Sequence, residues 1–261
     1  MITLFDIPST APGSAWSLNP WRTRLALAYK GIPFRTEWVE YPDIRPVLQS
    51  HNIQPTGKLA DGSGYYSVPA ILDIDDATGE VNTALADSFP IVKYLDEAYP
   101  DTPRLIPEGT SEDQETFARG YIRSILPILI IMIKVGLPKL NERSQDHYST
   151  ARAEDLFPLF KVKRVEKWPW SEEDQAKHWA DAKKALDALD EKLTATDAKG
   201  PWYLGDRISF ADFVIGASLI WMELLLGEES EEWKNVTTWN GGRWKRFIEG
   251  ISEWRVKGLK N

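Results

Sequence analysis

The chain has 261 residues, 43% hydrophobic and 27% charged, enough for a sizeable core in one large domain or two small ones. Its net charge of -8 argues against a nucleic-acid partner, which usually needs a basic face, and offers no attraction to an anionic membrane. The absence of cysteine excludes disulfides, thiolate nucleophiles and cysteine metal sites.

The start, MITLFDIPST, has no basic region followed by a long apolar stretch, so no signal peptide is expected. MITLFDI itself alternates and reads as a strand. Asn19 and Pro20 read as the N-cap and first-turn proline of a helix over Arg22 to Lys30, which Gly31 stops. PFRTEWVEY, beginning at Pro33, is a second strand. A turn-rich stretch follows, then SVPAILDID and EVNTAL as third and fourth strands. DSFPIVKYLDEAYP is a capped helix ended by Pro100. The order β-α-β, loop, β-β-α suggests a four-stranded mixed sheet in residues 1–100.

After a linker, DTPRLIPEGT, the strand signal fades. A long helix is expected from Glu112 to Leu140, bent near Pro127. Its apolar run Ile125 to Ile133 is about half the roughly 20 residues of a membrane span, so no membrane partner is expected. Ser171 and Asp174 open an amphipathic helix with Trp179, Ala182, Leu186, Leu189 and Leu193 on one face. SFADFVIGASLIWMELLLG, capped by Ser209 and Asp212, is apolar nearly all round and reads as a central buried helix. Residues 231–258 form a tryptophan-rich helical end. The chain therefore reads as an α/β part (1–100) followed by an all-helical part (111–261), with a ligand expected at their junction.

Several residues could carry chemistry. Ser17 lies where a strand hands over to a helix; it is either a turn residue or a hydroxyl donor at the positive end of the helix dipole. Pro69, after Val68, is either an ordinary trans proline or a cis proline that turns the Val68 backbone groups towards an extended peptide. Asp87 and Ser88 cap a helix, and the same geometry would suit an amino-acid head group. Lys58 is a solvated cation or a clamp for a peptide carboxylate. His51, His147 and His178 share no metal-binding spacing, and no HExxH, P-loop, GxSxG or GxGxxG pattern occurs, so no metal is expected. Twelve tryptophans serve either a bulky core or an aromatic cavity.

These pieces, in order, resemble a glutathione transferase. SLNPWRTRLALAYKGI resembles the serine-type start S-x-x-x-x-R-x-R-x-A-L-x-x-K-G of that family; SVPAIL resembles its cis-proline strand. DSFPIVKYLDEAYP resembles its E-S-x-x-I-x-x-Y-L-D helix, and WYLGDRISFADF its F-x-x-G-D-x-x-[ST]-x-A-D motif. The stretch from Ser14 to Ile44 is similar to the fungal-specific class A, related to bacterial lignin β-etherases. The resemblance covers residues 1 to about 220, and the last 40 match no pattern.

The resemblance implies a thioredoxin-like domain with a helical bundle, and glutathione as cosubstrate. Ser17 would hydrogen-bond the sulfur, with Asn19 or Ser14 as alternatives. Val68 and Pro69 would pair with the cysteinyl backbone, Asp87 and Ser88 would hold the γ-glutamyl end, and Lys58 the glycyl carboxylate. Asp87 stands where glutamate is usual, one methylene shorter. Leu18, Ser124 and Ile128 would border the electrophile pocket, and Trp16 stands nearby. The expected function is conjugation of glutathione to hydrophobic or aromatic electrophiles, for detoxification, by a cytoplasmic homodimer. The rival expectation is a ligandin-type carrier of aromatic, wood-derived molecules. A third is a transferase-like protein–protein module.

Overall fold

The computed structural model describes residues 1–260; Asn261, the last residue of the expected helical part, lies outside them. Strand β1 (Ile2–Asp6) is buried along its length, and its alternation feeds two cores. Ile2 and Leu4 enter the large core shared with the helices, while Phe5 enters a smaller cluster on the other face with Ile44, Leu48, Ala70 and Leu72. Helix α1 (Leu18–Lys30) ends where Gly31 turns left-handed at φ 67° and its N–H returns to the carbonyls of Ala28 and Leu27. Next come β2 (Phe34–Trp38), α2 (Ile44–Ser50), a small hairpin of β3 (Gly57–Lys58) and β4 (Gly64–Tyr65), then β5 (Ala70–Ile74), β6 (Val81–Ala86) and α3 (Ser88–Ala98). The sheet order is β2-β1-β5-β6, with β1 parallel to β2 and the other neighbours antiparallel. This is the expected thioredoxin-like mixed sheet; the β3–β4 hairpin is an addition to the expected strands.

The helical part comprises α4 (Ser111–Ser124), α5 (Leu126–Gly136), α6 (Glu142–Asp155), α7 (Phe157–Phe160), α8 (Glu172–Thr194), α9 (Phe210–Leu226), α10 (Glu231–Gly250) and α11 (Ser252–Leu259). The long helix expected from Glu112 to Leu140 is two helices that turn through 63° at Ile125. Pro127, in the first turn of α5, supplies no N–H and so suits a new start better than a continuation. The capping boxes at Ser171/Asp174 and Ser209/Asp212 are both present. Helix α10 is interrupted at Trp239–Gly242, where Asn240, Gly241 and Gly242 are left-handed in succession. Among the described residues no single helix is long and apolar enough to cross a membrane.

Two buried ion pairs fasten the parts around α1. The Arg24 guanidinium lies 2.7 Å from Asp6 and also donates to the Gly258 carbonyl at 2.8 Å, linking β1, α1 and α11. Lys30 lies 2.7 Å from Asp96, whose carboxylate accepts from the N–H groups of Leu105 and Ile106 and so fixes the linker. Helix α9, apolar all round, lies against α1 and completes the junction.

Candidate active site

Helix α1 begins one residue before Asn19. Ser17, not Asn19, occupies the N-cap position with extended backbone, and its carbonyl accepts the first helical bond from Trp21 at 3.1 Å. Pro20 therefore stands in the third helical position, where the absent N–H loses nothing because the first four helical N–H groups have no intrahelical acceptor. The Ser17 side chain does not cap the helix, and its hydroxyl has no partner among the described residues. A free hydroxyl thus sits at the positive end of the dipole.

Ser17 faces a cavity of about 500 Å³ between the two parts of the chain. Leu18, Asn19 and Trp16 line it from the start of α1; Tyr66, Ser67 and Val68 line it from the loop before β5. The Val68–Pro69 peptide bond is cis. Neither the N–H nor the C=O of Val68 has a hydrogen-bond partner among the described residues, although the residue is only 6% exposed. An unpaired, adjacent donor and acceptor on a buried backbone is the edge that an extended peptide completes. Pro69 itself is not on the wall; its carbonyl accepts from the Asp87 N–H at 3.1 Å and so ties this loop to the start of α3.

A second cavity, of about 300 Å³, is lined by Arg22, Asp87, Ser88, Phe89, Ala118, Arg119 and Ile122. Asp87 adopts a positive φ of 79°, uncommon for a residue with a Cβ, and its Oδ1 accepts from the Phe89 N–H at 3.3 Å. Its other oxygen lies 3.9 Å from the exposed Arg119. The Ser88 hydroxyl, beside it, has no partner among the described residues. Behind both stands Arg22, a residue the sequence reading left without a role. It is 6% exposed, its Nε and Nη2 are buried without hydrogen bonds, and among the described residues no carboxylate pairs with it. Burial pulls its pKa down to about 10, opposed by Tyr121 and Asp87, so it remains a cation at neutral pH. An unpaired buried cation is expensive, and an incoming carboxylate would relieve it.

The remaining sequence-derived positions fall elsewhere. Lys58 is exposed on the β3–β4 hairpin and lines neither cavity; Arg45 is the cation that the neighbouring helix α2 places on the wall of the larger one, where it donates to the Gly64 carbonyl at 2.9 Å. Ser14 sits in a left-handed turn, its carbonyl accepting from the Ser9 hydroxyl, and lines neither cavity. Ser124 turns its hydroxyl onto the Tyr121 carbonyl at 2.7 Å, and Ile128 is buried in the helical core, so neither borders the larger cavity. The break at Ile125 re-phases α5, which presents Leu129 and Ile133 instead, with Ile122 from α4. Tyr41, His147, Tyr148 and Arg152 complete the wall. Among the described residues no three His, Asp or Glu side chains gather as a metal site.

Comparison with known proteins identifies the family. The model of the glutathione S-transferase N-terminal domain matches residues 16–98, and that of the C-terminal domain matches residues 114–254. A glutathione S-transferase-like protein, ustS, of Aspergillus flavus is 29% identical over 259 residues, spanning 96% of this chain and 89% of its own. Among solved structures, the glutathione S-transferase CsGST63524 of Ceriporiopsis subvermispora, in complex with glutathione, is 35% identical. It superposes with a TM-score of 0.87 over 97% of each chain. Glutathione transferase GSTFuA3 of Phanerochaete chrysosporium is 36% identical, with a TM-score of 0.85 over 97% of this chain and 96% of its own. The chain belongs to the glutathione S-transferase family.

Proposed function

We propose that this protein binds glutathione across the two cavities, activates its thiol at Ser17 and transfers the thiolate to a hydrophobic, aromatic electrophile. The observation that carries the reading is a set of groups, Ser17, Val68, Ser88 and Arg22, that have no hydrogen-bond partner among the described residues and are arranged as one peptide would need them. The Ser17 hydroxyl donates to the sulfur. The Val68 N–H and C=O pair with the cysteinyl backbone. Ser88 and Arg22 receive the γ-glutamyl carboxylate, and Asp87 its ammonium. Arg45, with Lys58 further out on the hairpin, faces the glycyl carboxylate.

The chemistry follows from this placement. The thiol releases its proton to solvent, and the thiolate is favoured by the Ser17 hydrogen bond and the dipole of α1. The sulfur electron pair then forms the bond to the electrophilic carbon, and the leaving group departs with its own pair. No covalent enzyme intermediate is required, because the cosubstrate is the nucleophile. A hydrogen bond to a charged group contributes about 1.5–3 kcal/mol, so Ser17→Ala should lower turnover of chlorodinitrobenzene about ten- to hundredfold. Near-normal turnover in that variant would remove Ser17 from the mechanism.

The fungal relatives support a fungal origin; detoxification in the cytoplasm is part of this proposal, and light scattering would test the homodimer expected of the family. The aromatic wall of the larger cavity also supports a carrier role. Negligible conjugation of several electrophile types, with aromatic binding that persists without glutathione, would favour that reading.

A further inference from the structure

The larger cavity contains a second group of polar side chains that thiol activation does not use. Tyr41 comes from the short helical turn 41–43, and His147, Tyr148 and Arg152 from α6. They interlock: the Trp16 ring meets Tyr148 edge-on at 5.9 Å, Tyr148 meets Tyr41 at 5.3 Å, and Tyr41 stacks on His147 at 6.1 Å. The Arg152 guanidinium lies 5.9 Å from the Tyr148 ring centre. All five line the cavity.

These groups are left unsatisfied. Tyr148 is only 2% exposed, yet neither its hydroxyl nor that of Tyr41 has a hydrogen-bond partner among the described residues. Burial pushes both phenols well above their usual range, so at neutral pH both are donors. Arg152 gives Nη1 to Asp155 at 2.8 Å, while its buried Nε donates to nothing. One acid, Glu154, also lines the cavity, and it is exposed. The Arg152 Nε is a buried donor without an acceptor, which is costly, and the two hydroxyls open onto the cavity, so a ligand oxygen placed among them would relieve that cost. Two phenols alone would suit a carbonyl; two phenols beside a guanidinium suit an anionic oxygen group. The surrounding wall of Trp16, Ile122, Leu129, Ile133 and Trp221 takes aromatic rings.

We propose that the second ligand of this protein is an aromatic molecule bearing an anionic oxygen group, a carboxylate, sulfonate or phenolate, received by Arg152, Tyr41 and Tyr148. This deepens the reading of the same cavity as the electrophile site and stands equally for a carried ligand. Arg152 and the two tyrosines act here as specificity-determining residues.

Two probes that share one skeleton test it: anilinonaphthalenesulfonate and the uncharged phenylnaphthylamine, titrated by fluorescence into the full-length protein. The sulfonate should bind at least about tenfold more tightly, the equivalent of one charge-assisted hydrogen bond. Arg152→Met should abolish most of that ratio while leaving phenylnaphthylamine affinity within about twofold, and Arg152→Lys should restore part of it. Tyr148→Phe should weaken the sulfonate alone. Leu129→Trp, which fills the cavity, should weaken both probes; Ala151→Phe repeats this from α6 if the first variant does not fold. Equal affinity for the two probes, an unchanged ratio in Arg152→Met, or binding indifferent to the filled cavity would each overturn the proposal. Calorimetry with S-methylglutathione separates it from the glutathione reading: Arg152→Met should bind that ligand as the wild type does. If the wild type fails to bind it, the glutathione reading falls while the probe ratio still decides this proposal.

Discussion

Replacing Arg22 by methionine should move stability and binding in opposite directions. Methionine fills a similar volume without the charge. In the free protein Arg22 is a buried cation with no ion-pair partner among the described residues, and burial pulls its pKa well below the usual guanidinium range, to about 10. That depression, at 1.36 kcal/mol per unit, corresponds to a cost on the order of 3 kcal/mol to keep the charge in place. Arg22→Met should therefore stabilise the free protein by about 1–3 kcal/mol, raising Tm by several degrees for a chain of this size. With ligand bound the same group is paired, and removing one member of a buried charged pair costs about 2–5 kcal/mol, or roughly thirty- to several-thousandfold in affinity. The assays are differential scanning calorimetry of the free protein and isothermal titration with S-methylglutathione. A ligand lacking the γ-glutamyl α-carboxylate completes a double-mutant cycle: the two deletions should cost far less together than their sum. A variant that is less stable when free, binds S-methylglutathione normally and behaves additively in the cycle would refute the reasoning.

Other consequences concern the frame around the site. Asp6→Asn leaves Arg24 buried without its carboxylate and should cost about 3–5 kcal/mol in urea unfolding, with α11 opening first to proteolysis because Arg24 also holds the Gly258 carbonyl. A loss below about 1 kcal/mol would mean that the pair contributes specificity and little stability. Glu166 is exposed; what desolvation it has pushes its carboxyl up, but hydrogen bonds from Ser149 and Arg164 outweigh this and hold it at about 2. Since the folded value lies below the ordinary glutamate value of 4.5, its contribution is fully present above that pH and is lost as pH falls towards 2. The difference in Tm between wild type and Glu166→Gln should be constant at neutral pH and shrink on acidification through that window; a difference that grows there would reverse the assignment.

Much of the frame was legible because it rests on local signals. Alternation in β1, the glycine after α1 and the two capping boxes each settle their element within a few residues. What was less legible depends on tertiary placement. Asn19–Pro20 looks like a cap and first-turn proline, but the helix starts at Leu18, because proline is tolerated throughout the first turn. The same offset makes Ser17 the cap residue while leaving its hydroxyl free. Ile128 faces the core because a continuous helix and two helices broken at Ile125 present different faces after the break, whereas Ser124, before it, turns its hydroxyl back onto its own helix. The burial of Arg22 had one faint sign, an arginine amid the apolar positions of α1, but its lack of a partner emerges only when α3 and α4 close over it. Tyr41 and Tyr148 are more than 100 residues apart, and no local pattern joins them.

The central claim is that Ser17 lowers the thiol pKa of bound glutathione, and the most direct measurement is ultraviolet thiolate absorbance of that complex against pH, for wild type and Ser17→Ala. The account predicts ionisation near neutral pH in the wild type and an upward shift of about one to two units in the variant, matching the loss of one charge-assisted hydrogen bond. Identical titrations for the two proteins, or a bound thiol that ionises no more readily than free glutathione, would contradict it.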